Sequence, residues 1–161
     1  MAANHAGSLT RRPVEPADEE FLRAVYASTR AEELALTNWD AAQRDVFIRM
    51  QFAAQHQHYF HVCPRAAYEV VLLDGRPVGR IHVDRREQEI RILDLTVLAE
   101  HRNAGIGALI PELIAEAAQA GTLVTVYVEG HNRSRRLFER LGFVEAGGNG
   151  FSVLLQWCSR G

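Results

Sequence analysis

The order of elements legible in the sequence predicts an α+β fold, a mixed-sheet layer architecture with the pattern β-α-α-β-β-β-α-β-α-β. Three observations carry this expectation. Helical spacing of apolar residues dominates before Pro64 and strand-like runs dominate after it. The tetrapeptide Asp74-Gly75-Arg76-Pro77 separates two apolar runs as a hairpin turn would, since Gly readily takes positive φ. Helical patterns then alternate with further strand patterns to the end of the chain, which places helices and strands in one mixed layer architecture.

Each element has its own reason. Residues 1–8 read as a flexible tail, and residues 9–161 as a single domain, because no repeat, low-complexity tract or Pro/Gly linker divides them. Leu9 to Pro13 reads as a short edge strand. Pro16, with Asp18, Glu19 and Glu20, marks a helix start, where acids meet the positive end of the dipole. Phe21, Leu22, Val25 and Tyr26 give that helix its apolar stripe. A second helix is expected to open at Thr37, whose spacing to Asp40 resembles a capping box. Trp39, Gln43, Val46, Phe47, Met50 and Ala54 recur at helical spacing and are expected to be mostly core.

Tyr68 to Leu73 and Val78 to Asp84 form the hairpin strands. The next strand, Glu89 to Val97, changes phase. Ile90 and Ile92 share one parity, whereas Leu93, Leu95 and Val97 share the other, and one extra residue near Ile92 to Asp94 reconciles them as a β-bulge. A strand buried on both sides is the alternative. Gly105 to Ala120 reads as a helix with Ile106, Leu109, Ile110, Leu113, Ile114 and Ala117 on one face, and with Pro111 disturbing its first turns. Leu123 to Val128 is a β-branched strand. Asn132 caps a last helix that Gly142 ends, with Phe143 folding back, and Phe151 to Trp157 is the final strand.

Composition narrows function. The 161 residues are 47% hydrophobic and 24% charged, and the formal net charge is -2. That balance lacks the basic excess of a general nucleic-acid binder. No apolar run is long enough to span a membrane, and residues 1–10 have neither part of a signal peptide. Cys63 and Cys158 are too few for a disulfide framework, which points to a cytoplasmic protein. All 18 basic residues are Arg, so Lys is absent.

The strongest chemical signal is Leu95-Thr96-Val97 leading into Arg102-Asn103-Ala104-Gly105-Ile106-Gly107 and an apolar helix. Free N–H groups at such a helix start hold an anion, and Gly lets the backbone approach phosphate. A P-loop needs Lys after its last Gly, and the dinucleotide fingerprint needs Gly where Ile110 stands, so both alternatives fail.

Val97 to Gly107 resembles the acetyl-CoA loop of the GNAT superfamily of N-acetyltransferases, V-x-P-x-x-(Q/R)-x-x-G-x-G, with Ala99 in place of the usual Pro. Asn132 to Phe143 (NRSRRLFERLGF) resembles the second signature, an Asn-initiated helix ending in Gly-Phe. The resemblance implies a GNAT-like fold: a central, mostly antiparallel mixed sheet with a splayed, bulged strand, flanked by about four helices. It also implies transfer of an acetyl group from acetyl-CoA, as co-substrate and without metal, to a primary amine that attacks the thioester directly. The coenzyme would contact Leu95, Thr96 and Val97 with its pantetheine arm. Its pyrophosphate would lie on Arg102, Asn103, Ala104, Gly105, Ile106, Gly107 and Ala108, with Asn132 and Phe138 as further contacts. Backbone N–H near Val97 would stabilise the oxyanion.

The resemblance breaks at Phe138, where the family often has the Tyr that protonates the thiolate. Tyr127 or water is the substitute, and Asp94 is the candidate base, with Glu129, His82 and His101 as weaker ones. His56, His58, His61 and Cys63 carry metal-ligand chemistry but match no compact zinc module. With Trp39 and Tyr59 they are expected to border the acceptor pocket. Arg133, Arg135 and Arg136 form either a phosphate contact or a solvated helix face. The acceptor is a small-molecule amine or an amine of a protein N-terminus or side chain, with no nucleic acid and no membrane as partner. A homodimer is common in the family. The rival readings are a catalytically inactive acyl-CoA-binding or partner-binding module and a nucleotide-binding α/β module.

Overall fold

A computed structural model describes residues 8–101, 109–129 and 134–159. Its centre is a seven-stranded sheet formed by β1 (Leu9–Pro13), β2 (Ala67–Leu73), β3 (Arg76–Arg85), β4 (Glu89–Val97), β5 (Leu123–Glu129), β6 (Val144–Gly148) and β7 (Ser152–Trp157). The spatial order is β1-β2-β3-β4-β5-β7-β6, and every pairing is antiparallel except β4 with β5. Among the described residues four α-helices flank it: α1 (Glu19–Ala35), α2 (Ala41–Val62), α3 (Leu109–Ala120) and α4 (Ser134–Arg140).

The expected hairpin turn is present as a two-residue loop. Asp74 and Gly75 both take positive φ (51° and 82°), which matches the twist of the strands they join. The parallel β4–α3–β5 crossover buries the main core. Leu109, Ile110, Leu113 and Ala117 of α3 meet Ile81 and Val83 of β3, Ile90 and Ile92 of β4, and Val124 and Val126 of β5. Phe138 of α4 and Phe143 join the same cluster. Phe143 N–H returns to the Phe138 carbonyl at 3.1 Å while Gly142 takes φ 98°, the expected glycine stop.

The opposite face of the sheet carries α1 and α2. Leu22, Val25 and Tyr26 of α1 are buried as the stripe predicted. Asp18 does more than meet the helix dipole. Arg12 holds both of its oxygens at 2.7 Å, and that bond keeps the carboxyl below its usual range.

Three expectations are corrected. Thr37 does not open α2: its hydroxyl donates to the Leu34 carbonyl at the end of α1. Asp40 is the cap, accepting from Gln43 N–H at 2.8 Å while the Gln43 side chain accepts from Asp40 N–H. Gln43, Val46, Met50 and Ala54 are exposed rather than core, and Ile48 is the only buried residue of α2. The helix lies over a polar sheet surface, so its inner face is mixed and apolar spacing picks the wrong side. Val144–Gly148, exposed at every residue and rich in Gly, forms a strand that alternation gave no reason to expect. Pro111 lies inside α3 as described, and the expected earlier start of that helix, from Gly105, lies outside the described residues.

Candidate functional site

The site begins with one surplus residue in β4. His82 pairs with Asp94 and Val83 with Ile92, so Leu93 is left over as a bulge. The expected phase change is therefore real. Ile90, Ile92 and Val97 belong to the α3 core with Leu95 packed beside them, while Asp94 and Thr96 turn to the α1–α2 face. The bulge also separates β4 from β5. Their parallel pairing ends at Ile92 with Val126. Beyond it β4 continues along β3 to Val97 opposite Gly79, while β5 continues along β7 to Glu129 opposite Ser152. Residues 93–97 and 127–129 thus form the two lips of a V-shaped opening. Among the described residues, no strand takes up the outer peptide groups of the β4 lip, the condition under which an extended ligand pairs with a strand edge.

Gly79 holds this lip in place. A Cβ there would collide with the Thr96 carbonyl and crowd Val97, so only Gly allows so close an approach. After Val97, Leu98 N–H bonds to the Val78 carbonyl at 2.9 Å and a short 3-10 turn, Ala99–His101, follows. The anion-loop residues Arg102, Asn103, Ala104, Gly105, Ile106, Gly107 and Ala108, together with Asn132 and Arg133, lie outside the described residues.

On the α1–α2 face, Tyr68, His82 and Asp94 form one row across β2, β3 and β4. Arg80 and Thr96 occupy the next row. The Thr96 hydroxyl donates to Asp94 Oδ1 at 2.8 Å, and Arg80 Nε stands 2.5 Å from Asp94 Oδ2 as a close ion pair without hydrogen-bond alignment. His82 is neutral. Burial first, then the charges of Arg80 and His56, bring its pKa down to about 3. Its ring meets Tyr68 at 4.4 Å and Tyr59 of α2 at 5.5 Å, and its Nδ1, like the Tyr68 hydroxyl, is buried without a hydrogen-bond partner among the described residues. Burial pushes Tyr68 up to about 12 and also raises Tyr59, which feels the Asp94 charge.

Tyr127 stands on the β5 lip, half exposed and on the same face as Asp94. The Arg91 guanidinium lies 5.0 Å from its ring centroid and is fixed by the Thr125 hydroxyl (2.6 Å) and Glu89 (3.2 Å). Phe138 is buried against Phe143, 5.1 Å between centroids, and offers no proton. Glu129 borders an open depression of about 610 Å³ with Glu145 and Phe151 of the β6–β7 hairpin. His101 is 3.9 Å from Glu100.

The remaining candidates separate. His56 packs on Phe52 and Phe60, and Cys63 is buried and receives Arg86 Nη2 at 3.9 Å. Among the described residues no three His, Cys, Asp or Glu side chains gather as metal ligands. Trp39 packs on Phe47. Arg135 is paired with Glu139 and Glu145, and Arg136 is exposed. Sequence reasoning missed Arg80, Gln55 and Tyr68. Their signal was a strand in which Arg80, His82 and Asp84 alternate with Ile81 and Val83, a pattern that ordinarily marks a solvent face.

Comparison with known proteins agrees with this geometry. The family model for the acetyltransferase (GNAT) domain matches residues 55–145. The structure is similar to PaiA N-acetyltransferase from Thermoplasma acidophilum in complex with coenzyme A. The two share 15% identity over 94% of this chain and 99% of that one, with a TM-score of 0.70. It is also similar to an acetyltransferase from Thermus thermophilus, at 20% identity over 94% and 97% of the two chains and a TM-score of 0.67. Mycobacterium smegmatis RimJ in complex with CoA-disulfide aligns at 18% identity over 96% and 83%, with a TM-score of 0.63. No curated protein sequence matches the chain.

Proposed function

The chain belongs to the GNAT acetyltransferase family, and on that premise we propose that it moves the acetyl group of acetyl-CoA to a primary amine by direct attack. The observation that carries this reading is the opening that the Leu93 bulge makes between β4 and β5. An extended pantetheine arm with amide groups suits the unpaired backbone of Leu95 to Val97, and a thioester at its end comes level with Asp94 and Tyr127. The pyrophosphate falls to residues 102–108.

In this reading the amine nitrogen attacks the thioester carbonyl while Asp94 accepts the amine proton. Backbone N–H near Val97 stabilises the oxyanion, the C–S bond breaks, and the thiolate leaves. Tyr127 returns a proton to sulfur. A thiol has a pKa near ~8.5, so its anion departs tolerably even unaided. The acceptor is a small-molecule amine or a protein amine, and the protein works in the cytoplasm as one domain over residues 9–161. Phe138 favours a second reading, a coenzyme-binding module without turnover, because the helix that often bears the acid has none here.

Thermal unfolding with acetyl-CoA, CoA, ATP and NAD, followed by free-thiol release with an amine panel, tests both. Ligand at 100 times Kd adds about 2.7 kcal/mol and several degrees. The acetyltransferase reading expects stabilisation by the CoA compounds alone and thiol release that needs amine. Stabilisation without thiol release selects the binding module. No shift with either CoA compound overturns both. The chain has no Lys, so its own side chains add no amine acceptor to the assay.

A further inference from the structure

We propose that Arg80 is a positioning residue of the transfer reaction, fixing the Asp94 carboxylate at the mouth of the β4–β5 opening and tying it to the α1–α2 wall. The proposal rests on the reading of Asp94 as the proton acceptor. Arg80 is 3% exposed, yet it carries a full charge. Such burial is costly unless every part of the guanidinium is engaged. Each contact leads somewhere different. Nε lies beside Asp94 Oδ2 on β4. Nη2 donates to Gln55 Oε1 of α2 at 3.1 Å. The guanidinium carbon is 5.9 Å from the ring centroid of Tyr26 on α1. One planar cation therefore sets the distance between the bulged strand and both covering helices.

The Thr96 hydroxyl donates to the other oxygen of Asp94, so the carboxylate is clamped between two side chains of the neighbouring row of the sheet, one by a hydrogen bond and one by charge. The pair with Arg80 is not an aligned hydrogen bond, and a carboxylate oxygen has two acceptor sites. Oδ2 is enclosed beside Arg80, so the part of the carboxylate left for a donor from the opening is Oδ1, which keeps a second acceptor site beside its Thr96 bond. With a neutral cavity-filling side chain at 80, the carboxylate loses its clamp and turns through its rotamers. Because Arg80 meets the lip at Thr96 through backbone pairing, while its side chain is directed to Asp94, Gln55 and Tyr26, a change of side chain leaves coenzyme binding alone.

The test is a double-mutant cycle on folded protein, reading kcat for amine-dependent thiol release and Kd for acetyl-CoA. Asp94→Asn is expected to lose roughly 10²–10⁴-fold in kcat, and Arg80→Met about tenfold or more, both with Kd within about twofold. The double variant should be no slower than Asp94→Asn alone, because Arg80 acts only through Asp94. Arg80→Lys keeps the charge but cannot serve Asp94 and Gln55 together, and should fall between wild type and Arg80→Met. It also decides the question, in a cycle with Asp94→Asn, if Arg80→Met does not fold. Losses that multiply in the double variant, or an Arg80 variant with wild-type kcat, overturn the positioning role while the base survives. An Asp94→Asn enzyme at wild-type rate overturns the base itself and this proposal with it.

Discussion

The two faces of the sheet are built on opposite terms. On the α3 face, Ile81, Ile92, Leu109, Ile110, Leu113 and Leu155 are wholly buried and interdigitate as hydrocarbon. On the α1–α2 face, buried positions include Arg80, His82 and Asp84, with Tyr68 and Asp94 beside them. The first face repays burial by area and tolerates no polar group. The second repays burial only through specific partners, so its geometry is fixed residue by residue and some capacity stays unused. The proposed transfer, which would bring together an amine, a thioester and a moving proton, calls for the second kind of surface, braced by the first.

Removing volume from the apolar face should cost most and depend least on pH. Leu113→Ala is expected to destabilise by about 2–5 kcal/mol, read as a shift in urea midpoint at unchanged slope. A loss under about 1 kcal/mol would mean that α3 repacks freely and the contrast between faces is overstated.

The polar face should instead respond to acid. His82 in the folded protein titrates near 3, well below its unfolded value of 6.5. Between those limits the unfolded chain binds the extra proton, so stability rises with pH. The contribution is complete above about pH 6.5 and is lost as pH falls toward 3. His82→Gln should remove up to about 1.4 kcal/mol per pH unit from the slope of stability in that window. An identical slope in the variant would show that His82 is hydrated and that the face is wetter than its packing implies.

The smallest effect concerns how α2 is set over that face. Asp40→Ala breaks a reciprocal cap with Gln43 and should cost about 1 kcal/mol. Hydrogen exchange should show the loss in the first turns of α2 alone. Faster exchange spreading to His82 and Arg80 would mean that the cap braces the polar row as well.

Legibility followed the same division. The Asp74-Gly75 turn, the Gly142 stop, the α1 stripe and the β4 phase change were readable because each depends on φ, periodicity or parity within a few residues. The outer face of α2 was misread because Val46 and Met50 keep helical spacing while the sheet beneath that helix is polar. For the same reason Asp94 could be named as a candidate but Arg80 could not. The partner of a carboxylate in a sheet is chosen by strand register, 14 positions away along the chain, and not by anything adjacent to it.

What the sequence determined alone was the order of elements apart from β6 and the surplus residue in β4, both consequences of local sterics and of alternation. What only the tertiary structure decided was the separation of β4 from β5 into two lips, the placing of Asp94 and Tyr127 on one face of them, and the burial of a cation beneath two helices. Those are decided when distant strands pair and helices close over them, because a charge buried against Asp94, Gln55 and Tyr26 has no meaning until all three are brought to it.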